Sequence, residues 1–231
     1  MFLNISGIAP LRESYMKARL KVFIDTDPVW TMVKGSQVPA DYAYCLAHDA
    51  HFTFGWNLPG GGTPVPLLDI DWKPMLPPVV PDLWTPLETS SGHWTTIGSW
   101  DARDRDMELG GETYFWRKNL EYEKIINLPG KVPAGERFEL SYSGMPPEEV
   151  RRYESRGWII SDALKTSRDF LDYREMIRSS RGEFTVAKDL NIRIRSGWFS
   201  DRAACYLAAG RPVIHEDTGF DASQRVGEGL F

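Results

Sequence analysis

The clearest chemical signal in the sequence lies at residues 196–202, which read Ser-Gly-Trp-Phe-Ser-Asp-Arg and precede an apolar helical stretch ending at Gly210. Gly197 allows a close turn, and Ser200 or Asp201 can cap the following helix. The free N–H groups of such a helix start, with the side chain of Arg202, form a site for an anion such as phosphate. The alternative is a capped surface helix whose Asp201 and Arg202 contact only water.

Two carboxylates follow a buried strand near the beginning of the chain. Asp25 and Asp27 come directly after an apolar run at residues 20–24. Carboxylates at the carboxyl end of a parallel strand are placed to bind a ligand or to take a proton from it. The same residues are equally typical of an Asx turn before Pro28.

His51 is the histidine best placed for acid–base chemistry, since imidazole exchanges protons near pH 7. The alternative is a hydrogen-bonded structural histidine at the start of a strand. His48 and His51 also have a spacing found in helical metal sites, but at a strand entry this spacing splits the two side chains between faces. No third ligand is evident, so the sequence predicts no metal site.

Basic residues are in local excess within an acidic chain. The formal net charge is −5, yet residues 174–202 carry seven Lys or Arg against four Asp or Glu. This excess fits a diphosphate site; an RNA site is disfavoured because stacking aromatics are sparse. The alternating charges of residues 101–106 predict a solvated loop, with a loop over bound phosphates as the alternative. The glycines at residues 60–62 are not followed by the Lys-Ser/Thr pair of a phosphate-binding loop. The chain also has neither the Gly-x-Ser-x-Gly motif of serine hydrolases nor the Gly-x-Gly-x-x-Gly motif of dinucleotide-binding proteins, so both classes are disfavoured.

The surrounding pattern predicts an α/β fold built on parallel strands. Strands and helices alternate at βαβ spacing after residue 93, and eight prolines between Pro59 and Pro86 exclude a long helix there. We therefore predict a first Rossmann-like unit at 1–57, an extended interdomain segment at 58–92 and a second unit at 93–231. Strands are expected at 2–5, 20–25, 50–56, 94–100, 137–142, 158–160, 183–187 and 212–215, and helices at 114–128, 147–156, 167–179 and 199–209.

Composition narrows the class of protein further. Hydrophobic residues make up 42% of the 231 positions, which is ordinary for a globular protein, and no apolar run approaches membrane-spanning length. Two distant cysteines without a CxxC pattern support neither a disulfide framework nor a cysteine zinc site. These features predict a cytoplasmic protein with no integral membrane segment and no nucleic-acid partner.

The sequence resembles bacterial glycosyltransferases of the two-domain GT-B fold. The resemblance is most specific at residues 173–220, and Ala-Ala-Gly-Arg-Pro-Val-Ile at 208–214 is similar to the end of the family's nucleotide-sugar-binding motif. It implies transfer of a sugar from a nucleotide-diphospho sugar to an acceptor, without a bound metal or other cofactor. The donor would lie on the second unit and an unidentified acceptor on the 25–56 side of the first.

The resemblance also implies roles for individual residues. Ser200, Arg202 and the backbone at 200–202 would hold phosphate oxygens, with Lys118 adding positive charge. Phe184 and Lys188 would lie near the base and ribose, and Asp217 and Thr218 continue the donor motif. Asp25, Asp27 and His51 are the catalytic candidates on the acceptor side.

Two departures from the family qualify this interpretation. The two positions at which many retaining relatives carry glutamates hold Gly197 and Cys205, so the acidic contacts are absent or relocated to Glu216 or Asp217, and the stereochemistry stays open. The first unit is also short, which predicts an incomplete N-terminal domain whose exposed apolar face could form a homodimer. The alternative function is a carbohydrate- or nucleotide-binding module without turnover, with Trp56, Trp72, Trp84 and Trp100 coplanar on a shallow face.

Overall fold

The computed structural model describes residues 1–88 and 92–231; residues 89–91, near the end of the predicted interdomain segment, lie outside the described part. The first half of the chain forms a parallel sheet in the order β1-β2-β3-β4. Buried Val22 and Phe23 run consecutively in β2, as expected of an inner strand covered on both faces. The elements are β1 (Phe2–Ile5), α1 (Glu13–Met16), β2 (Lys21–Asp25), α2 (Trp30–Gln37), α3 (Pro39–Leu46), β3 (Ala50–Thr53) and β4 (Trp72–Pro74).

The second half forms a parallel sheet in the order β11-β10-β5-β8-β9, beside a short antiparallel hairpin made by β6 and β7. The elements are β5 (His93–Ser99), β6 (Met107–Leu109), β7 (Glu112–Tyr114), α4 (Asn119–Lys124), β8 (Arg137–Ser143), α5 (Pro147–Glu154), β9 (Ile159–Ser161), α6 (Ala163–Thr166), α7 (Phe170–Ser179), β10 (Gly182–Thr185), α8 (Asp189–Ile194), α9 (Asp201–Ala208) and β11 (Val213–His215). The predicted α/β class with parallel, Rossmann-like sheets is confirmed.

Two predicted helices differ from the observed ones for local reasons. Gly110 and Gly111 both have positive φ and form the tight turn between β6 and β7, so Tyr114 pairs in a strand and α4 begins only at residue 119. The predicted helix at 167–179 begins only at Phe170, because Ser167 is the C-cap of the preceding helix α6. Asp169 then caps α7, its carboxylate accepting a hydrogen bond from the Leu171 N–H at 2.6 Å.

Side chains from both halves of the chain pack together in common hydrophobic cores. Leu58, Val65 and Trp72 of the proline-rich segment join the core under the first sheet, whereas Trp84 packs with α7 and α9. The hairpin and α8 also contribute to the first core, which contains Met107, Tyr114, Trp116, Leu190 and Ile194. Asn57 also hydrogen-bonds the two halves to each other, because its Nδ2 donates to the backbone oxygens of Arg195 and Gly219, each at 3.0 Å.

This arrangement brings the carboxyl ends of several strands to one place. In the second sheet the chain leaves β5 toward β8 and β9 and returns on the other side to β10 and β11. The gap between β5 and β10 is thus a topological switch point, where open α/β sheets bind ligands. Thr26 and Asp27, which follow β2 of the first sheet, face the same gap. No helix in the described ranges is long and apolar enough to cross a membrane.

Candidate functional site

A cleft of about 550 Å³ lies between the carboxyl edges of the two sheets. Its floor is the end of β5, and its sides are the loop after β2, the segment before α4, the segment after β10 and the start of α9. This volume is in the range of small-ligand pockets. The lining residues are Thr26, Asp27, Ile97, Gly98, Ser99, Asp101, Ala102, Asp104, Arg105, Trp116, Arg117, Lys118, Lys188, Trp198, Ser200, Asp201 and Arg202.

Six residues proposed from the sequence line this cleft: Asp27, Lys118, Lys188, Ser200, Asp201 and Arg202. Ser200 caps α9, its hydroxyl accepting from the Ala203 N–H at 3.5 Å, as the helix-start pattern predicts. Asp201 occupies the same end of the helix and accepts from the Arg202 N–H at 3.0 Å. Its carboxylate reduces the positive potential of the helix start, so the attraction for an anion depends mainly on neighbouring cations.

Asp27 and Lys188 form an ion pair that joins the two halves across the cleft. The Lys188 Nζ lies 3.0 Å from Asp27 Oδ1 and 3.1 Å from the centre of the Trp116 ring. Burial lowers the pKa of Lys188 to about 8, with the Asp27 charge acting in the opposite direction. Lys188 therefore engages Asp27 Oδ1, whereas Asp27 Oδ2 accepts no hydrogen bond within the described residues.

Lys118 is a cleft cation whose ammonium group has no ion-pair partner in the described residues. Its ammonium lies 5.7 Å from the centre of the Trp198 ring, and no ion pair or hydrogen bond of its side chain occurs within residues 1–88 and 92–231. Burial, followed by the positive charges of Arg202 and Lys188, lowers its pKa to about 7. Three cations therefore converge on the start of α9, and Lys118 lacks a compensating carboxylate.

Arg202 has a structural role that the sequence did not predict. Its Nε pairs with Glu183, a fully buried carboxylate on β10, while Nη1 donates to the Ile97 carbonyl at 2.5 Å and Nη2 to Thr185 Oγ1 at 2.9 Å. The Glu183 charge holds the pKa of Arg202 above its usual value despite burial. A guanidinium has five N–H donors, so three inward bonds leave two for a ligand. Arg202 thus contributes a fixed positive charge to the cleft, rather than a guanidinium that is free to turn toward a ligand.

Asp25, Gly197 and Thr218 lie behind the lining and support it. Asp25 is buried and accepts hydrogen bonds from Thr31 at 2.7 Å and Thr53 at 3.1 Å; burial raises its pKa to about 7. A side chain at Gly197, where φ is +73°, would collide with Asn57. The Thr218 hydroxyl donates to the Trp198 carbonyl at 2.5 Å. These residues shape the cleft without lining it.

Three predicted site residues lie outside the cleft lining. His51 faces the core between Phe23 and Trp72, where its Nε2 bonds the Cys45 carbonyl at 2.8 Å, so it is a structural histidine. Phe184 packs against aromatic rings of the second core rather than toward a base or ribose. Asp217 is turned to solvent and pairs with Arg195 at 2.9 Å.

Three of the four tryptophans of the alternative carbohydrate-binding face are buried, and the fourth, Trp56, is half-buried. Trp72, Trp84 and Trp100 are each no more than 4% exposed and belong to three different cores. They fill volume between elements, which is the common use of large aromatic side chains. The feature that would have indicated a shallow carbohydrate-binding face is therefore not formed.

Sequence reasoning missed two important cleft residues, Arg105 and Trp116. Arg105 belongs to the charged run that was interpreted as a solvated loop, yet its guanidinium lies 5.5 Å from the ring centres of both Trp30 and Trp116. The alternating charges of residues 101–106 were the only available signal for Arg105. For Trp116 there was none, because its position depends on the hairpin that folds it against Lys188.

Comparisons with known proteins add no family to this description. No protein-family model matches the chain, and no curated protein shows significant similarity to it.

Proposed function

We propose that this cleft binds a nucleotide-diphospho sugar and that the protein transfers the sugar to an acceptor, in a GT-B-like arrangement of two facing Rossmann-like units. The observation that carries the proposal is the convergence of Lys118, Lys188 and Arg202 on the start of α9 at the switch point. Asp27 pairs with Lys188 and Glu183 with Arg202, but no carboxylate pairs with Lys118 in the described residues, so an anion bound among the three would reduce their mutual repulsion. A diphosphate brings two or more negative charges in one small group, which matches this arrangement.

Breaking the sugar–phosphate bond requires stabilisation of a leaving diphosphate. In the transfer, an acceptor oxygen forms a bond to the anomeric carbon, and the bond from that carbon to the diphosphate oxygen breaks. The bonding electron pair leaves with the diphosphate, where Lys118, Lys188 and Arg202 would stabilise the developing charge. In this proposal the side chains of the protein supply the positive charge.

Asp27 is the residue proposed to receive the acceptor proton. Its carboxylate lines the cleft at the end of β2 and is held in place by Lys188 at 3.0 Å. Asp25 lies directly behind it, and the Asp27 N–H donates to Asp25 Oδ1 at 3.2 Å. This support orients the loop that carries the proposed base.

Calorimetric titration with UDP, GDP, ADP and dTDP in metal-free buffer tests the donor site. We expect one nucleotide to bind with micromolar affinity and to lose most of this affinity in Lys118→Met. Lys131→Met is the matched control, because Lys131 is an exposed lysine outside the cleft. Absence of binding by all four nucleotides would refute the donor site.

A second measurement separates transfer from binding. The matching nucleotide sugar, incubated with the protein and a mixture of small alcohols and phenols, should release free nucleoside diphosphate. Asp27→Asn should abolish this release while the nucleotide still binds, because its amide cannot accept the proton. Nucleotide binding with no release under any acceptor would support a binding module instead of an enzyme.

A further inference from the structure

A second cavity, of about 220 Å³, opens beside the cleft in the first half of the chain. It lies at the carboxyl ends of β1 and β2, under α2 and α3. Asp27 and Arg105 line both spaces. A molecule in this second cavity would therefore meet a molecule in the cleft at the proposed base.

The second cavity has an aromatic and apolar side, and its lining also includes Ser6, Asp27, Thr31, Lys34, Asp41 and Arg105. Phe23 and Cys45 form its buried side, and Trp30 and Tyr44 form its partly exposed sides, with Ile8 at the mouth. The volume is below the roughly 300 Å³ at which pockets for drug-sized ligands begin. The space therefore suits a single ring rather than an extended chain.

Apart from Arg105, the polar side chains around this cavity already have partners within the protein. The hydroxyl of Ser6 bonds that of Thr26 at 2.5 Å, Thr31 donates to Asp25 at 2.7 Å, and Tyr44 donates to the Ala9 carbonyl at 2.6 Å. Lys34 pairs with Asp41 at 3.3 Å. A sugar ring placed here would leave several of its hydroxyl groups without partners, which is costly in a buried space.

From these contacts we propose that the second cavity holds the acceptor and that this acceptor is a small aromatic alcohol or phenol rather than a saccharide. The inference rests on the proposed function of the cleft. The ring would lie against Trp30 and Phe23, and its hydroxyl would point to Asp27, which takes the proton as the oxygen bonds the anomeric carbon. Arg105 has no acidic partner in the described part of the chain and would cover the junction between the two cavities.

The experiment compares two probes, 4-methylphenol and glucose, by calorimetry on the full chain. The phenol keeps its proton below a pH of about 10, as the Tyr side chain does. We expect 4-methylphenol to bind with one-to-one stoichiometry and glucose not to bind. Trp30→Leu should lower the affinity for 4-methylphenol about tenfold, because the aromatic contact with the ring is lost.

Two further variants keep the test independent of folding. Ile8→Asp places a charge at the mouth of the cavity on a side chain that is 84% exposed, so the fold is retained and phenol affinity should fall at least about fivefold. Leu46→Ser is the matched control, since Leu46 is an exposed apolar residue of α3 outside both cavities. Nucleotide binding in each variant verifies that the cleft is intact.

The outcomes separate this inference from the proposed function. Nucleotide binding without phenol binding, or glucose binding above phenol binding, overturns the inference and leaves the donor site in place. Phenol binding that Ile8→Asp and Trp30→Leu weaken, without any nucleotide binding, supports the cavity as an aromatic site and refutes the transferase. Binding of both, followed by formation of an aryl glycoside from the nucleotide sugar, supports both proposals.

Discussion

Binding of a diphosphate to the cleft should transfer a proton from solvent to Lys118. In the free protein, burial and the charges of Arg202 and Lys188 lower the pKa of Lys118 to about 7 from the usual 10.5. At pH 8 the side chain is then about 90% neutral. A phosphate charge about 4 Å away contributes about 4 kcal/mol at an effective dielectric constant near 20. That energy corresponds to about three pKa units and returns Lys118 to its ordinary range.

This linkage sets the size and sign of the effect. Because the ligand-bound form holds the proton and the free form loses it above pH 7, affinity must fall as the pH rises. With pKa values of about 7 and about 10 for the two forms, the dissociation constant should rise about twentyfold between pH 7.5 and pH 9. Nucleoside diphosphates are fully ionised above pH 7.5, since a second phosphate ionisation lies near pH 6.

Calorimetry in two buffers of different ionisation enthalpy measures the proton directly. At pH 8 the wild-type protein should take up about one proton more per bound nucleotide than Lys118→Met does. The comparison with Lys118→Met matters because Lys188, with a pKa of about 8, also titrates in this range. Lys131→Met should behave as the wild type. Equal proton uptake in wild type and Lys118→Met would refute the argument that Lys118 is the unsatisfied cation of the site.

Three further predictions concern stability. Arg202→Ala should lower the free energy of unfolding by about 3–5 kcal/mol in urea titrations, because it leaves Glu183 buried and unpaired; a fully stable variant would contradict the inward role of Arg202. Burial raises the pKa of Asp25 in the folded protein to about 7, from 3.8. The free energy of unfolding should therefore fall as the pH rises from 4 to 7, by at most about 4 kcal/mol. Asp25→Asn should flatten this dependence in unfolding curves measured across that range. Asn57→Ala should lower the free energy of unfolding by about 1–3 kcal/mol in the same assay, because two backbone carbonyls of the second half lose their hydrogen-bond donor. An unchanged free energy of unfolding would show that the two halves do not depend on these hydrogen bonds.

Long-range pairing explains most of what sequence reasoning missed. His51 and Phe184 both lie on strands, and alternation along a strand allows a side chain to face either the cleft or the core. The choice is made by partners that are distant in sequence: Trp72 beside His51, and Phe138 and Trp158 beside Phe184. None of these three partners can be identified from local spacing.

The amino-acid sequence by itself determined the local features of this protein. Alternating apolar runs and turn residues indicated parallel strands with intervening helices, and the residues at 196–202 indicated a helix that begins beside a possible anion site. A cap at Ser200 or Asp201 follows from hydrogen bonding within four residues, so it is visible without a fold, and the structure selects Ser200. The position of Asp27 after β2 follows in the same way from a strand that stops at a turn.

Only the tertiary structure decided how these features combine. Asp27 and Lys188 are 161 residues apart and meet because the carboxyl ends of two sheets face one cleft. Arg202 turns inward because a buried carboxylate on β10 requires a counter-charge, whereas Lys118 has none in the described chain and faces the cleft. Burial and charge pairing act through space rather than along the chain, so which cation is satisfied and which can hold a ligand depends on the packed fold.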